Sequence, residues 1–257
     1  MNILYVGDIM GEVGIEVVEK VIPDLRKEKQ IDLVIAQSEN VSDGKGISLS
    51  DFQRLQKAGV DFFTGGNWSL HKADILPALS DPNQPIIRPA NYPVGTPGMG
   101  FKYINNVLVI SLLGQIVGRD ADKAADNPLK VIDEILKQKE TETVIVNFHG
   151  DYSSEKVVIG HYLDGRVTAV VGDHWHVPTA DARVLTKGTA HITDVGMCGA
   201  LNASLGVKFS SVLPRWRDEQ QTRNILETEG PRQFNAVLVK SNDKALADSI
   251  EQIQRVF

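Results

Sequence analysis

The sequence predicts a mixed-sheet α/β fold, and two observations carry that expectation. Short apolar runs alternate with stretches of helical period, as in chains that cover a sheet with helices. Two further pairs of runs are separated only by turn residues, which marks antiparallel hairpins and argues against a purely parallel sheet.

Ile3–Val6 reads as a buried strand, followed by a helix from Val13 to about Lys29 in which Val17, Val18, Val21, Ile22 and Leu25 share one face. Pro23 inside that stretch predicts a kink or an early stop. Leu33–Ala36 is the next strand. Ser50–Ala58 is a helix with Ser50 as N-cap and Gly59 as C-cap. Val60–Phe63 is a third strand, and a further helix lies near Lys72–Leu79. The Pro/Gly-rich passage from Arg88 to Gly100 is interrupted by aromatic and apolar residues, so it is expected to be an ordered loop packed on the body. Phe101–Ile104 and Val107–Leu112 flank Asn105-Asn106, a pair suited to a type I′ hairpin. Pro128–Lys137 is a helix with proline in its first turn. Thr143–Phe148 and Val167–Val171 are strands on either side of a helical turn near Ser154–Val158. Arg183–Leu185 and Ala190–Thr193 form a second hairpin across Thr186-Lys187-Gly188. Phe234–Val239 is a strand, and Asn242–Val256 reads as an amphipathic terminal helix.

Composition narrows the function classes. A net charge of -6 argues against a general nucleic-acid or anionic-membrane surface. No apolar stretch approaches the ~20 residues of a transmembrane helix, and the opening MNILYVGDIMGEVG has no basic leader. A lone Cys198 forms no internal disulfide, which fits a reducing, cytoplasmic setting. A homo-oligomer is left open. A small anionic substrate is compatible with the acidic chain if bound metal supplies local positive charge.

Five expected strands each run into a metal-competent residue: Asp8, Glu39-Asn40, Asn67, His149, and His174-Trp175-His176. Ligands of α/β sheets gather outside the carboxyl ends of strands, so these ends are expected to converge. Imidazoles and carboxylates bind first-row transition metals, and an asparagine carbonyl adds a neutral oxygen. Two divalent ions bring about +4 and the Asp8 and Glu39 carboxylates about −2, leaving a centre that attracts phosphate. Two ions ~3.5–4 Å apart also make hydroxide available at neutral pH and hold both oxygens of an in-line displacement. Phosphate ester hydrolysis is therefore the natural chemistry, ahead of amide hydrolysis.

The strings GDIMG, SEN, GGNW, NFHGDYSSEK, GDHWHVPTAD and TDVGM, with RPANYPVGTPG and HYLDGRVTAVVG, resemble the YmdB-like branch of the calcineurin-like metallophosphoesterases. The likeness runs from residue 1 to about residue 206, and the final 50 or so residues are less clear. It implies one metallophosphoesterase domain over residues 1–257, built as a four-layer α/β/β/α sandwich with mixed sheets. It also implies phosphodiester hydrolysis, with 2′,3′-cyclic nucleotides as the substrate class; that no stable nucleic-acid or membrane partner is expected rests on the charge and the apolar runs above. By position, one metal takes Asp8, Glu39, Asn40 and His176, and the other takes bridging Glu39, Asn67, His149 and His174. Iron or manganese is the implied occupant, with zinc and magnesium not excluded by the ligands.

One departure from the resemblance concerns Trp68, which stands where the family pattern has a histidine beside the phosphate. General acid catalysis is worth about 10²–10⁴-fold, so its loss implies a slower enzyme. It also motivates a second class of function, a metal-bound regulatory or ligand-sensing protein with weak catalysis. His71 is the sequence's alternative acid. Plainer roles attach to other residues: His161 and His191 as structural histidines, Cys198 as packing, Lys45 and Arg166 as solvated cations, and Trp68 and Trp175 as site walls or core. Gly7, Gly11 and Gly14 do not carry the dinucleotide-binding spacing.

Overall fold

The computed structural model describes residues 1–117 and 125–257. The first part of the chain forms β1 (Asn2–Val6), β2 (Asp8–Ile9), α1 (Gly11–Glu28), β3 (Leu33–Gln37), α2 (Leu49–Lys57), β4 (Phe62–Thr64) and, after a 3-10 turn at Ala73–Ile75, α3 (Leu76–Ser80). The middle forms β5 (Phe101–Ile104), β6 (Val107–Leu113), α4 (Pro128–Lys137), β7 (Thr143–His149), α5 (Ser153–Tyr162) and β8 (Ala169–Asp173). The remainder forms β9 (Arg183–Val184), β10 (Ala190–Ile192), β11 (Met197–Ala200), α6 (Phe209–Arg217), β12 (Arg232–Ser241) and β13 (Ala247–Val256).

These strands make two mixed sheets, one ordered β2-β11-β12-β1-β3-β4 with β13 also paired to β12, the other ordered β5-β6-β7-β8-β10-β9. Three buried apolar layers show how they stack. Ile3, Tyr5, Leu33, Ile35 and Val237 meet Val107, Val109, Ile145 and Val171 between the sheets. The Val18, Ile22 and Leu25 face of α1 and Phe52 of α2 cover the outside of the first sheet. Ile132 and Ile135 of α4 and Ile159 of α5 cover the outside of the second. The result is the α/β/β/α sandwich. Its parallel β1, β3 and β4 and its parallel β6, β7 and β8 bring their carboxyl ends to one edge.

Several local expectations are corrected. The terminal segment is a strand: β13 pairs antiparallel with β12 from Gln233↔Val256 to Ser241↔Ala247. Its Ala, Ile, Gln and Glu residues suit a helix locally, but the ladder offered by the long β12 decides the outcome. Pro23 neither stops nor divides α1, which runs on to Glu28. Ser48, not Ser50, caps α2, accepting from the Asp51 N–H at 3.2 Å. The turn expected at Ser154–Val158 is a helix over Ser153–Tyr162. Both hairpins form, and Asn105 and Asn106 take the positive φ values, 47° and 61°, that a type I′ turn requires.

His191 is buried in β10, and no helix among the described residues is long and apolar enough to cross a membrane. Burial holds the His191 imidazole below its usual pKa against the pull of Asp181, while Arg183 and His161 reinforce the depression. The neutral ring therefore favours the folded state. Its contribution is complete above the unfolded value near 6.5 and is lost as pH falls below that value toward the lower folded pKa. The melting temperature is expected to drop between about pH 7.5 and 5.5, and His191→Leu is expected to flatten that drop. An equal drop in the variant would assign the acid sensitivity elsewhere.

Candidate metal centre

The carboxyl ends of the two sheets close over a polar floor. Asp173, fully buried at the end of β8, accepts from Tyr5 Oη at 2.8 Å, Gln37 Nε2 at 2.9 Å and Asn147 Nδ2 at 2.5 Å. Its other oxygen accepts from His149 Nδ1 at 2.7 Å. Burial raises the Tyr5 hydroxyl well above its usual pKa, and the nearby Asp173 charge adds to this. The phenol therefore stays a donor.

All the residues expected from the strand ends lie on or beside this floor. His149 Nε2 is 2.9 Å from Glu39 Oε1, and the His149 and His174 rings meet edge to face at 4.5 Å between centroids. The His174 N–H donates to Asp8 Oδ2 at 3.1 Å. His176 Nε2 lies 3.1 Å from Asn40 Oδ1 and 3.9 Å from Asp8 Oδ1. The Asn67 carboxamide is 3.1 Å from His149 Nε2. Gly66 has to be a glycine for this geometry, because a Cβ there would fall 2.1 Å from Glu39 Oε2 and 2.6 Å from His149 Cδ2. His174 and His176 both hold positive φ, 105° and 62°, a cost usually met only where surroundings over-determine the backbone.

The proton inventory shows that the cluster suits cations. The Leu205 carbonyl can only accept, so His176 Nδ1 carries the proton that reaches it at 3.2 Å, and Nε2 presents a lone pair. That lone pair faces the oxygens of Asn40 and Asp8, which are acceptors too. Asn40 is held in that orientation by its own amide, which donates to the Gly44 carbonyl at 2.9 Å. Asp8 Oδ1 is buried and has no hydrogen-bond partner among the described residues. Burial, reinforced by His174, depresses His176 to about 4, so the ring is neutral and ligand-competent. Acceptor atoms converging in a buried site are what a bound cation resolves.

The second half of the cluster differs in its protonation. His149 donates Nδ1–H to Asp173, which points Nε2 at Glu39 and Asn67, where an ion would take the place of a second ring proton. The Asn67 amide has two ways to lie. With Oδ1 inward, it adds another lone pair; turned over, Nδ2 reaches His149 at 3.1 Å and Glu39 at 3.2 and 3.3 Å, and Oδ1 accepts from Trp68 Nε1 at 3.2 Å. Burial opposes charge on His149, but Glu39 and Asp173 outweigh it and raise its pKa well above normal. Burial also raises the Asp8 carboxyl, with Asp173 adding to the effect. Both directions describe a pocket short of positive charge.

Trp68 and His71 lie at the rim. The Trp68 N–H donates to Glu39 Oε2 at 3.1 Å, and its half-buried indole meets the exposed His71 ring edge-on at 5.2 Å. His174 Nε2 donates to Asp151 at 3.1 Å, so Nδ1 is its remaining lone pair.

Comparison with known proteins identifies the family. The model for YmdB-like proteins matches residues 4–253. The chain belongs to the YmdB-like family. Among relatives, it is 36% identical over 98% of its length, and 96% of the other chain, to the 2′,3′-cyclic-nucleotide 2′-phosphodiesterase of Bacillus subtilis. The YmdB-like fold here superposes on the crystal structure of a Thermus thermophilus protein with a TM-score of 0.90 at 33% identity, covering 100% of this chain and 99% of the other. It superposes on a phosphatase from Mycoplasma pneumoniae with a TM-score of 0.92 at 29% identity, covering 100% and 93%.

Three supporting residues of this YmdB-like chain were not singled out by its sequence. Asp173 orients His149, and Lys156 and Asp194 brace the 173–176 turn. Lys156 Nζ, buried on α5, donates to the Asp173 carbonyl at 2.6 Å and to Asp194 Oδ2 at 2.7 Å, beneath the Trp175 ring. Asp194 also accepts from the Trp175 N–H at 2.9 Å. The signal was present, since Lys156 and Asp194 lie inside the strings NFHGDYSSEK and TDVGM.

On the reading that His149 ligates an ion, Asp173→Asn gives an expected loss of about 10–100-fold in metal affinity or turnover, the range for outer partners of ligating histidines. An amide N–H₂ facing His149 Nδ1 forces the other tautomer and puts a proton on Nε2, where the lone pair is needed. Metal titration followed by circular dichroism checks this; undiminished affinity with the fold intact would remove Asp173 from the orienting role.

Proposed function

We propose that this protein is a dinuclear-metal phosphodiesterase acting on 2′,3′-cyclic nucleotides. Membership of the YmdB-like family makes it a hydrolase of phosphoric esters. The finer reading is supported above all by the acceptor atoms of His176, Asn40 and Asp8, which converge in a buried site where Asp8 Oδ1 has no hydrogen-bond partner among the described residues.

In this reading Asp8, Glu39, Asn40 and His176 hold one ion, and Glu39, Asn67, His149 and His174 hold the other. Iron or manganese suits these nitrogen and oxygen donors. When bound, the ions supply a nucleophile at neutral pH and neutralise charge developing on the phosphoryl oxygens. Glu39 is assigned to both ions because its carboxylate meets His149 at 2.9 Å while its chain neighbour Asn40 faces His176. Asp173 fixes His149, and Lys156 with Asp194 fixes the turn that carries His174 and His176.

Trp68 has no proton to transfer at the pH of catalysis. A strained five-membered cyclic phosphate makes a substrate that needs less help at its leaving oxygen than an ordinary diester. The substrate class and the indole are therefore consistent with each other.

The test is hydrolysis of 2′,3′-cyclic AMP by purified protein loaded with manganese or iron, then stripped with chelator. Metal-dependent turnover at enzyme-like rates, about 1 s⁻¹ or more, is expected. Full metal loading with no hydrolysis of a cyclic nucleotide or an aryl phosphodiester would favour the regulatory reading that Trp68 motivates.

A further inference from the structure

A cleft of about 440 Å³ opens beside the candidate metal centre, within the range of small-ligand sites. Asn67 belongs to both, being a proposed ligand on one side and cleft wall on the other. The rest of the wall is largely apolar: Trp68, Leu70, Tyr92 and Pro93, with His71 and Thr96 as its polar points.

Trp68 is fixed in this wall from several directions. Its backbone N–H is bound to Glu39 at 3.1 Å, and His71 packs on its ring at 5.2 Å. Lys45, which is not part of the cleft wall, sets its ammonium 4.3 Å from the indole centroid. Tyr92, in the same wall, is anchored by its hydroxyl, which donates to the Gly66 carbonyl at 3.1 Å. A rigid aromatic surface costs little to organise on binding, and every nucleobase has a π-face to lay against it.

We infer that this cleft is a nucleobase subsite in which Trp68 is the stacking platform, so that the base, and a purine above all, steers the phosphate onto the neighbouring centre. The inference rests on the phosphodiesterase reading for its substrate but on the cleft alone for its ligand class. Asn67 links the two sites by a single residue, which suits a phosphate and base joined through one ribose.

Base–aromatic stacking is worth roughly 5- to 150-fold in affinity per base. The test compares adenosine 2′,3′-cyclic phosphate with the base-free 2′,3′-cyclic phosphate of methyl riboside. The natural protein is expected to prefer the adenosine compound by about tenfold or more in kcat/KM. Trp68→Leu is expected to bring that ratio close to unity, and Trp68→Phe, which keeps a stacking face, to preserve most of it. Absence of a preference in the natural protein, or a preference that survives in Trp68→Leu, overturns the subsite. Hydrolysis of neither compound would count against the phosphodiesterase reading alone. Tryptophan fluorescence titrated with adenosine 2′-phosphate then decides: saturable quenching lost in Trp68→Leu supports the subsite, and no quenching overturns it.

Discussion

Glu39→Gln is expected to lower turnover by about 10³-fold or more and to empty both ion positions. Glu39 is 2% exposed and sits between His149, 2.9 Å away, and the Trp68 N–H, 3.1 Å away. Burial alone would raise its carboxyl, yet His149 outweighs burial and holds the pKa below normal, so the group is an anion. Glutamine keeps the shape and removes the charge from the only carboxylate proposed to serve both ions. Loss of an outer partner typically costs about 10–100-fold, and a shared inner ligand is expected to cost more. Metal content by mass spectrometry and kcat/KM on 2′,3′-cyclic AMP give the two readouts, with circular dichroism reporting the fold. Unchanged metal content and activity would remove Glu39 from the bridging position.

Lys156→Met is expected to be the most damaging change to stability, by about 3–5 kcal/mol, because it leaves a buried carboxylate without its cation. Both partners are 0% exposed at the side chain, and Lys156 Nζ also satisfies the Asp173 carbonyl. Burial raises the Asp194 carboxyl, and Lys156 is the main influence holding it down. For a chain of this length each kcal/mol corresponds to about 2–4 °C, so the melting temperature is expected to fall by roughly 6–20 °C. A calorimetric scan of the variant checks this. A shift of about a degree would mean that Asp194 is fully served by the Trp175 and Gly196 N–H groups alone.

The parts of this fold legible in the sequence share a physical cause. Strands such as β7 are nearly continuous apolar runs because both faces are buried, one against a helix and one against the other sheet. Their ends are conspicuous because a polar residue follows at once. The type I′ turn at Asn105-Asn106 is legible because only a few residues tolerate positive φ. What escaped notice lacked such signals. β2 and β11 pair in parallel over only two residues each, Asp8↔Met197 and Ile9↔Cys198, too short for any periodicity. β13 carries two buried residues, Ala247 and Ile253, so its sequence does not alternate. α6 presents Phe209 and Trp216 to solvent at 63% and 75%, which blurs its amphipathic face.

The site divides in the same way. Its inner residues were legible because histidine, carboxylate and asparagine recur at one structural position, the strand end. Asp173 was not, since an aspartate before a histidine has no pattern of its own. Its role follows from donors on three strands, Tyr5 of β1, Gln37 of β3, and Asn147 and His149 of β7, which are far apart in the chain. Lys156 and Asp194 are 38 residues apart and meet only because α5 packs over the end of β8.

The most direct measurement of the centre is anomalous diffraction from crystals of the protein loaded with manganese. Two peaks about 3.5–4 Å apart are expected, both against Glu39, one beside Asp8, Asn40 and His176 and the other beside Asn67, His149 and His174. A lone peak away from Glu39, or a loaded crystal with no peak at the strand ends, would contradict the two-ion centre.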